Sequence, residues 1–401
     1  MGDLFHFTFC AAENFTILKA HYFTFAARQI FHELLPLCRF YAIINLRGDV
    51  CLSNISLIDS NFKIESQIKE SNIRFYDVKH SPFKVYGVFY ESGKFRRLPE
   101  NIAKTVSTGV YRLHANTAGG RVRFKTDSPF VAIHAKMPAI GKMPHFALSG
   151  SAGFDLYYCD ESERYFKTFV PPFNIEDGFE SILYFDCSNM RELTINFPLY
   201  SEISELYIGL SDGAYVGEPK GYKTDKPIVY YGSSITQGGC ASRPGNSYES
   251  IISRRLDTDY INLGFSGNAK GEREIAEYIS KLDMSVFVYD YDHNAPTAEY
   301  LKNTHEKMYR IIREAKPDLP IVLMSRPKFH LTDDEKLRLA IIKETYENAK
   351  TSGDTNIYLI DGATLMALAK DEGTVDDCHP NDLGFASMAK AVGDLLEKIL
   401  K

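Results

Sequence analysis

Four polar stretches in the second half of the chain each follow an apolar run, and they contain residue types suited to nucleophilic chemistry. The first is GSSITQGG, in which Ser233 and Ser234 lie between the run IVYY and a pair of glycines. The other three are NLGFSGNAKG at 262–271, DYDHNAP at 290–296 and DDCHPNDLG at 376–384. A Gly-x-Ser turn is common at strand ends, so the first stretch alone leaves a nucleophile and a plain polar turn equally open.

The last stretch can supply the base that a serine nucleophile needs. A serine hydroxyl reacts well only when an imidazole removes its proton, and that imidazole needs an acceptor on its other nitrogen. Asp376 lies three residues before His379, and on a turn entering a helix such residues lie on the same side. Pro380, followed by Asn381 or Asp382, is suited to start that helix.

Together and in this order, the four stretches resemble the SGNH (GDSL-type) hydrolase family, in which Ser, Gly, Asn and His each come from one block. The resemblance covers about Lys226 to the C-terminus. It implies a serine hydrolase whose catalytic residues are the nucleophile Ser234, the base His379 and the acid Asp376. Gly267 matches the glycine of the second block, and Asn294 matches the asparagine of the third.

An oxyanion hole follows from the same residues. Ester hydrolysis develops negative charge on the carbonyl oxygen, and each donor aimed at that oxygen contributes about 10²–10³ in rate. The backbone N–H groups of Ser234 and Gly267 and the side-chain amide of Asn294 would supply three donors. Glycine at position 267 lets the chain turn so that its N–H points into the cleft.

The sequence departs from the family pattern in two places. Ser233 stands where the family usually has Asp, and Asp292-His293-Asn294-Ala295 replaces the usual Gly-x-Asn-Asp. Neither change removes a group that performs the chemistry. Asp377 is a rival to Asp376 as the acid, but its spacing from His379 fits the turn geometry less well.

Other polar residues near these blocks have alternative interpretations. Arg243 and Arg326 are candidates for substrate binding, with a structural salt bridge as the alternative for each. His293 should point away from Asn294 on an extended segment, and Cys240 is interpreted as part of the cleft wall. The histidines and carboxylates lack HxH or HxxxH spacing, so we predict no metal and no cofactor.

Two hydrophobic patterns in the sequence predict the secondary-structure elements that would position these residues. Beyond Pro227, apolar runs alternate with helical patterns, which predicts an α/β fold with a flavodoxin-like three-layer parallel sheet. Residues 70–216 contain short period-two runs, from GVYRLHA to ELYIGLSD, which predict an antiparallel β-sandwich or jelly roll. Residues 217–227 are predicted to be a linker and 228–401 the catalytic domain, whereas 1–65 form an N-terminal extension of unknown role.

The run GFDLYY, residues 153–158, resembles a Gly-x-Asp-Leu-Tyr signature of β-sandwich domains that precede SGNH-type hydrolases, as in bacterial carbohydrate esterases. The resemblance implies a short-chain esterase, in particular an O-deacetylase of carbohydrate. A lipase or thioesterase for longer acyl chains remains open. A non-enzymatic carbohydrate-binding protein is the alternative from another class.

Composition and net charge limit the classes of binding partner expected for the chain. The chain of 401 residues has a net charge of -6 and an isoelectric point near 6.0, which disfavours nucleic acid and anionic membranes. Seven cysteines without CxxC spacing favour a reducing compartment. No Lys or Arg precedes Lys19, so we predict no secretory signal and a cytoplasmic location. The expected partner is a small-molecule or oligosaccharide ester, and the oligomeric state stays open.

Overall fold

The computed structural model describes residues 67–159 and 163–401. The predicted extension at 1–65 lies outside the described residues. The described residues belong to one compact unit, Ile64–Lys401. None of the helices within them is long and apolar enough to cross a membrane.

Two antiparallel sheets form the first part of this unit. Their strands are β1 (Ile73–Asp77), β2 (Lys84–Tyr86), β5 (Arg121–Thr126), β6 (Phe130–Lys136), β7 (Phe154–Cys159), β8 (Glu163–Phe169), β9 (Gly178–Tyr184), β10 (Arg191–Asn196), β11 (Glu205–Ser211) and β12 (Val216–Gly217). A separate hairpin consists of β3 (Phe89–Glu91) and β4 (Lys94–Arg96). One sheet has the order β1-β11-β6-β9, and the other has β12-β5-β10-β7-β8 with β2 beside β5.

The two sheets share one apolar core. Ile133 and Ile208 from the first sheet and Phe124 and Ile195 from the second are all fully buried in the same cluster. Packing of two antiparallel sheets face to face is the architecture of a β-sandwich. The predicted β-sandwich is therefore confirmed, and the jelly-roll connectivity stays a prediction.

The first part also contains three short helices, α1 (Glu100–Val106), α2 (Thr108–Leu113) and α3 (Leu148–Ser151). The prediction of a strand for GVYRLHA was wrong, because its first five residues lie in α2. The hydroxyl of Ser107 caps this helix by accepting from the N–H of Val110 at 3.1 Å. Val110 is buried in the core beneath the parallel sheet rather than in the sandwich. A polar cap and burial against another sheet thus override a short alternating pattern.

A segment without helix or strand, 218–227, leads into the parallel sheet. Its strands are β13 (Ile228–Gly232), β14 (Tyr260–Gly264), β15 (Val286–Asp290), β16 (Ile321–Met324) and β17 (Ile357–Ile360). They pair in parallel in the order β14-β13-β15-β16-β17. This is the flavodoxin-like order 2-1-3-4-5, in which ligands bind at the carboxyl ends of the strands near the first strand. The predicted fold class is confirmed.

Helices cover both faces of the parallel sheet. They are α4 (Tyr248–Leu256), α5 (Arg273–Ile279), α6 (Ala298–Ala315), α7 (Asp333–Thr351), α8 (Gly362–Leu365) and α9 (Asp382–Ile399), with 3-10 turns at Pro244–Asn246 and Lys370–Gly373. Alternate residues of β13 face opposite sides, so that Tyr231 packs in the cluster that includes Ile275 of α5. Tyr230 packs in the cluster that includes Phe385 of α9. The result is the predicted arrangement of three layers.

Two buried arginines join the β-sandwich part to the parallel sheet. Arg97 donates from Nη1 to the side-chain oxygen of Asn262 at 3.2 Å and to the carbonyl of Gly264 at 2.7 Å, both on β14. Arg121 on β5 forms an ion pair with Asp259, which immediately precedes β14. Because buried guanidinium groups are costly to leave unpaired, these contacts fix the sandwich loops relative to the strand ends.

Candidate active site

The turn after β13 contains Ser233 and Ser234. A Cβ on Gly232 would lie 1.9 Å from Oδ1 of Asp290, so only glycine fits there. Below the turn, Thr236 donates its hydroxyl to the same carboxyl oxygen at 2.7 Å, and burial raises the pKa of Asp290 to about 8. Ser233 is buried, and its N–H donates to the Asp290 carbonyl at 3.2 Å. Of the two serines, Ser234 is the one whose hydroxyl lies against an imidazole, that of His379.

Ser234, His379 and Asp376 come together as the sequence predicts. Oγ of Ser234 lies 2.9 Å from Nε2 of His379, and Nδ1 of His379 lies 2.8 Å from Oδ2 of Asp376. Ser234 lies in the turn after β13, whereas Asp376 and His379 lie in the turn before α9. Asn381 caps α9 by accepting from the N–H of Gly384 at 3.1 Å, which anchors the turn. The arrangement meets the geometric requirement for serine activation by a general base.

Asp376 is held in its charged form. Burial opposes ionisation, but hydrogen bonds from the backbone N–H and ring of His379 outweigh it and lower the pKa of Asp376 below its ordinary value. Its Oδ1 accepts from the N–H of His379 at 2.7 Å and from that of Cys378 at 3.2 Å. A carboxylate at this position favours the imidazole tautomer with a proton on Nδ1. Nε2 is then free to accept the proton of Ser234.

The predicted oxyanion donors lie on the loops after β13, β14 and β15. Gly267 adopts the left-handed φ of 68°, and a Cβ there would meet nothing within 4 Å, so its backbone borders open space. Asn294 donates one amide hydrogen to the carbonyl of Phe265 at 3.1 Å, which leaves its second hydrogen for a ligand. Ser266 donates its N–H to Oε1 of the buried Gln237 at 3.0 Å. The three loops are thereby tied to one another beside Ser234.

Two side chains from the β-sandwich part also reach the triad, and sequence reasoning missed both. Nε2 of His145 lies 3.8 Å from Oδ2 of Asp376, and its ring centroid lies 5.7 Å from that of His379. The Tyr200 hydroxyl donates to the carbonyl of Ser234 at 3.2 Å. Both residues precede the family blocks and belong to no motif, so spacing offers no signal that could have found them.

Cys240 lies beside the triad without the properties of a nucleophile. It is only 8% exposed, and burial raises the pKa of its thiol to about 12. A neutral thiol is a weak nucleophile. The interpretation of Cys240 as part of the cleft wall is consistent with these properties.

Arg326 and His293 have structural contacts. Arg326 is paired with Asp292 at 3.3 Å and with Glu335 at 2.8 Å, and only 12% of its side chain is exposed. Burial lowers the pKa of His293 to about 4, and its Nδ1 lies 3.7 Å from Sγ of Cys378. A substrate-binding role of Arg326 stays a prediction, and its contacts favour the salt-bridge alternative.

The GFDLYY motif explains the position of Arg243. The fully buried Asp155 accepts from Nη1 of Arg243 at 3.0 Å and from the N–H of Gly245 at 2.7 Å. Tyr157, two residues later, hydrogen-bonds the same guanidinium, and Arg243 also lies over the ring of Tyr165 at 3.9 Å. The motif therefore holds the loop after Ser234 against the sandwich, and these contacts favour a structural role for Arg243 over its predicted role in substrate binding.

Replacing Asp155 with Ala should destabilise the protein strongly. The change leaves the partly buried guanidinium of Arg243 without its carboxylate, and breaking such a pair costs about 3–5 kcal/mol. We expect urea denaturation to report a loss of this size in the free energy of unfolding. The exposed Asp186 is the control, because its replacement with Ala should change stability by less than about 0.5 kcal/mol. An Asp155→Ala protein as stable as its Asp186→Ala counterpart would contradict the anchoring role.

Comparison with known families agrees with this architecture. A model described as the GDSL-like lipase/acylhydrolase family matches residues 225–400. A second model, GxDLY, described as the N-terminus of esterases of the SGNH hydrolase type, matches residues 73–216. No match was found among curated proteins.

Three solved structures illustrate the similarity. A protein described as a GDSL-like lipase from Bacteroides ovatus is 29% identical, with a TM-score of 0.74 over 82% of this chain and 98% of that one. A salicylyl-acyltransferase from a tetracycline biosynthetic pathway is 19% identical, with a TM-score of 0.66 and coverages of 82% and 98%. An acetyl xylan esterase from the rumen bacterium Butyrivibrio proteoclasticus is 11% identical, with a TM-score of 0.54 and coverages of 82% and 99%. The last two show the fold alone.

Proposed function

This chain is an enzyme of the GDSL-like lipase/acylhydrolase family, to which residues 225–400 belong, and from this premise we propose that it removes short acyl groups, acetyl in particular, from carbohydrate hydroxyls. The observation that carries the proposal is the hydrogen bond of 2.9 Å between Oγ of Ser234 and Nε2 of His379, with Asp376 on the other ring nitrogen. The alternative of a non-enzymatic carbohydrate-binding protein is set aside by the family.

In the first half of the reaction, Oγ of Ser234 attacks the ester carbonyl while its proton passes to Nε2 of His379. The negative charge on the carbonyl oxygen is stabilised by the N–H groups of Ser234 and Gly267 and by the Asn294 amide. The bond from the carbonyl carbon to the sugar oxygen then breaks, and the imidazolium returns the proton to that oxygen. Asp376 stabilises the imidazolium while it exists.

In the second half, water takes the place of the sugar hydroxyl. His379 removes a proton from the water, whose oxygen attacks the acyl carbon, and the bond to Oγ of Ser234 breaks. The proton returns to Oγ, and the short carboxylic acid leaves. The same base and the same three donors therefore serve both steps.

The preference for a short acyl group rests on the loop that follows the nucleophile. Residues 238–246 are mostly small or polar and offer hydrogen bonds but little apolar surface. Asp382 at the start of α9 accepts from the N–H of Ser242 at 2.9 Å and from the amide of Asn246 at 2.8 Å. Because the loop is tied down at these points, it is poorly suited to open an apolar slot.

The carbohydrate part of the proposal has separate support. The sandwich places the polar side chains of His145 and Tyr200 beside the triad, where they can contact a polyhydroxylated leaving group. The acetyl xylan esterase noted above has the same fold over 82% of this chain. A longer-chain lipase or thioesterase remains the second candidate, since the most identical of the three structures is described as a lipase.

Catalytic efficiency should not rise with acyl length. A long acyl chain would gain about 0.8 kcal/mol for each buried CH₂ only if an apolar slot received it. We therefore expect kcat/KM to be highest for acetyl among acetyl, butyryl and octanoyl aryl esters, and acetate to be released from acetylated xylan or glucomannan. Ser234→Ala protein at the same concentration measures background hydrolysis. A steady rise through octanoyl, with no acetate from either polysaccharide, would move the assignment to a lipase or thioesterase.

A further inference from the structure

Three metal-ligating side chains from separate parts of the fold meet at the triad. They are His145 from the sandwich, Cys240 from the loop after β13 and His379 from the turn before α9. One ligand atom of each lies within 4.8 Å of the ligand atoms of the other two. Only His379 of this cluster is among the histidines whose spacing argued against a metal in the sequence, whereas His145 and Cys240 come from other segments.

The chemistry of the cluster suits a soft divalent cation. One thiolate and two imidazoles are a common ligand set for zinc, with bonds of about 2.3 Å to sulfur and about 2.0–2.1 Å to nitrogen, and binding of the cation would displace the proton that the Cys240 thiol carries in the free protein. Such bonds require ligand atoms roughly 3.3–3.7 Å apart, so the separations within the cluster need to shorten by at most about an ångström. The His145 side chain is 42% exposed and can make this adjustment without disturbing the core.

The backbone at Cys240 has an unusual conformation. Its φ of 74° lies in the left-handed region, which residues other than glycine seldom adopt. Strained positions of this kind persist where the surrounding structure fixes them, and they occur often at functional sites. Here the strain belongs to the residue whose thiol completes the cluster.

The triad determines which nitrogen of His379 is available. Nδ1 is occupied by Asp376 at 2.8 Å, an arrangement that also orients metal-bound histidines in many sites. The remaining nitrogen is Nε2, which lies 2.9 Å from Oγ of Ser234. A cation on Nε2 would take the lone pair that must accept the serine proton.

We propose that His145, Cys240 and Nε2 of His379 form an inhibitory binding site for Zn²⁺ or a similar soft divalent cation. Occupancy of the site and general-base catalysis exclude each other. Inhibition rests on the proposed function of His379, whereas binding of the cation does not.

Zinc should inhibit the esterase reversibly, and loss of a ligand should relieve the inhibition. In metal-free buffer we expect ZnCl₂ to inhibit hydrolysis of an acetyl aryl ester by the full chain, and EDTA to restore the rate. With the rate of each variant expressed relative to its own rate without zinc, Cys240→Ser and His145→Ala should each raise the zinc concentration for half-inhibition by at least about tenfold. His145→Ala changes an exposed side chain, so it tests the site even where Cys240→Ser folds poorly.

Two matched variants control for other thiols and histidines. Cys378→Ser removes the cysteine next to His379 in the sequence, whose thiol contacts His293 and does not belong to the cluster. His134→Ala removes a half-exposed histidine that pairs with Glu180 on the sandwich. Both should be as sensitive to zinc as the wild type. Equal zinc sensitivity in Cys240→Ser, His145→Ala and these controls would overturn the proposal. A fall in the hydrolysis rate when EDTA is added to enzyme that has received no zinc would also overturn it.

Cobalt binding tests the metal site independently of esterase activity. Ser234→Ala keeps all three ligands, so it should bind Co²⁺ with a thiolate-to-cobalt charge-transfer band, and the double variant with Cys240→Ser should lose that band. If Ser234→Ala remained an active esterase, the proposed function would fail while this test of the site still stood. Absence of the band in Ser234→Ala would overturn the metal site itself.

Discussion

Replacing Ser234 with Ala should reduce kcat/KM for an acetyl aryl ester by at least about 10⁴-fold, because no other hydroxyl contacts Nε2 of His379 among the described residues. Losses of this size follow when a serine nucleophile is removed, since the oxyanion hole and substrate binding retain only residual catalysis. The change removes a single oxygen from a side chain that is 8% exposed, so the free energy of unfolding should change little.

A fluorophosphonate identifies the nucleophile directly. It should label the wild type at Ser234 and leave Ser234→Ala unlabelled. The matched control is Ser233→Ala, which removes the neighbouring hydroxyl that accepts from the N–H of Ile235 at 3.2 Å and should still be labelled. Peptide mapping that places the label on Ser233 or Cys240 would show that the wrong residue had been assigned.

The sequence was informative where function and local structure share the same residues. Three of the polar blocks lie at the carboxyl ends of β13, β14 and β15, which a parallel α/β sheet presents along one edge, and the fourth lies in the turn before α9 rather than at the end of β17. The turn from Asp376 to His379 could be predicted in detail, since three-residue spacing and the helix start at Asn381 or Asp382 are local features. The structure resolves that alternative, with Asn381 as the cap and Asp382 as the first residue of α9.

Contacts between distant segments could not be predicted. His145 and Tyr200 come from the β-sandwich part, which Arg97 and Arg121 join to β14 and to Asp259 before it, and no local pattern encodes such a juxtaposition. The same limit applies to Arg243, which lies in the loop after Ser234. Arg243 suggested a substrate contact from its position alone, yet its partner Asp155 lies 88 residues earlier.

The triad base and acid should differ in the size of their effects. Replacing His379 with Ala removes the group that accepts the Ser234 proton, so we expect a loss in kcat of at least about 10⁴-fold. Asp376→Asn leaves the imidazole in place but removes the charge that stabilises the imidazolium and fixes its tautomer. Its effect should be about 10–100-fold smaller than that of His379→Ala. Steady-state kinetics with an acetyl aryl ester at neutral pH measure both.

The control for the acid is its neighbour. Asp377 pairs with Lys328 at 2.8 Å, and its side chain is 78% exposed. It has a φ of 64°, which asparagine tolerates well, so Asp377→Asn should fold normally and keep nearly full activity. Because the pKa of Asp376 lies below its ordinary value, its charge persists at neutral pH and is lost only on acidification, whereas Asp376→Asn lacks it at every pH. A larger loss for Asp377→Asn than for Asp376→Asn would transfer the role of the acid to Asp377.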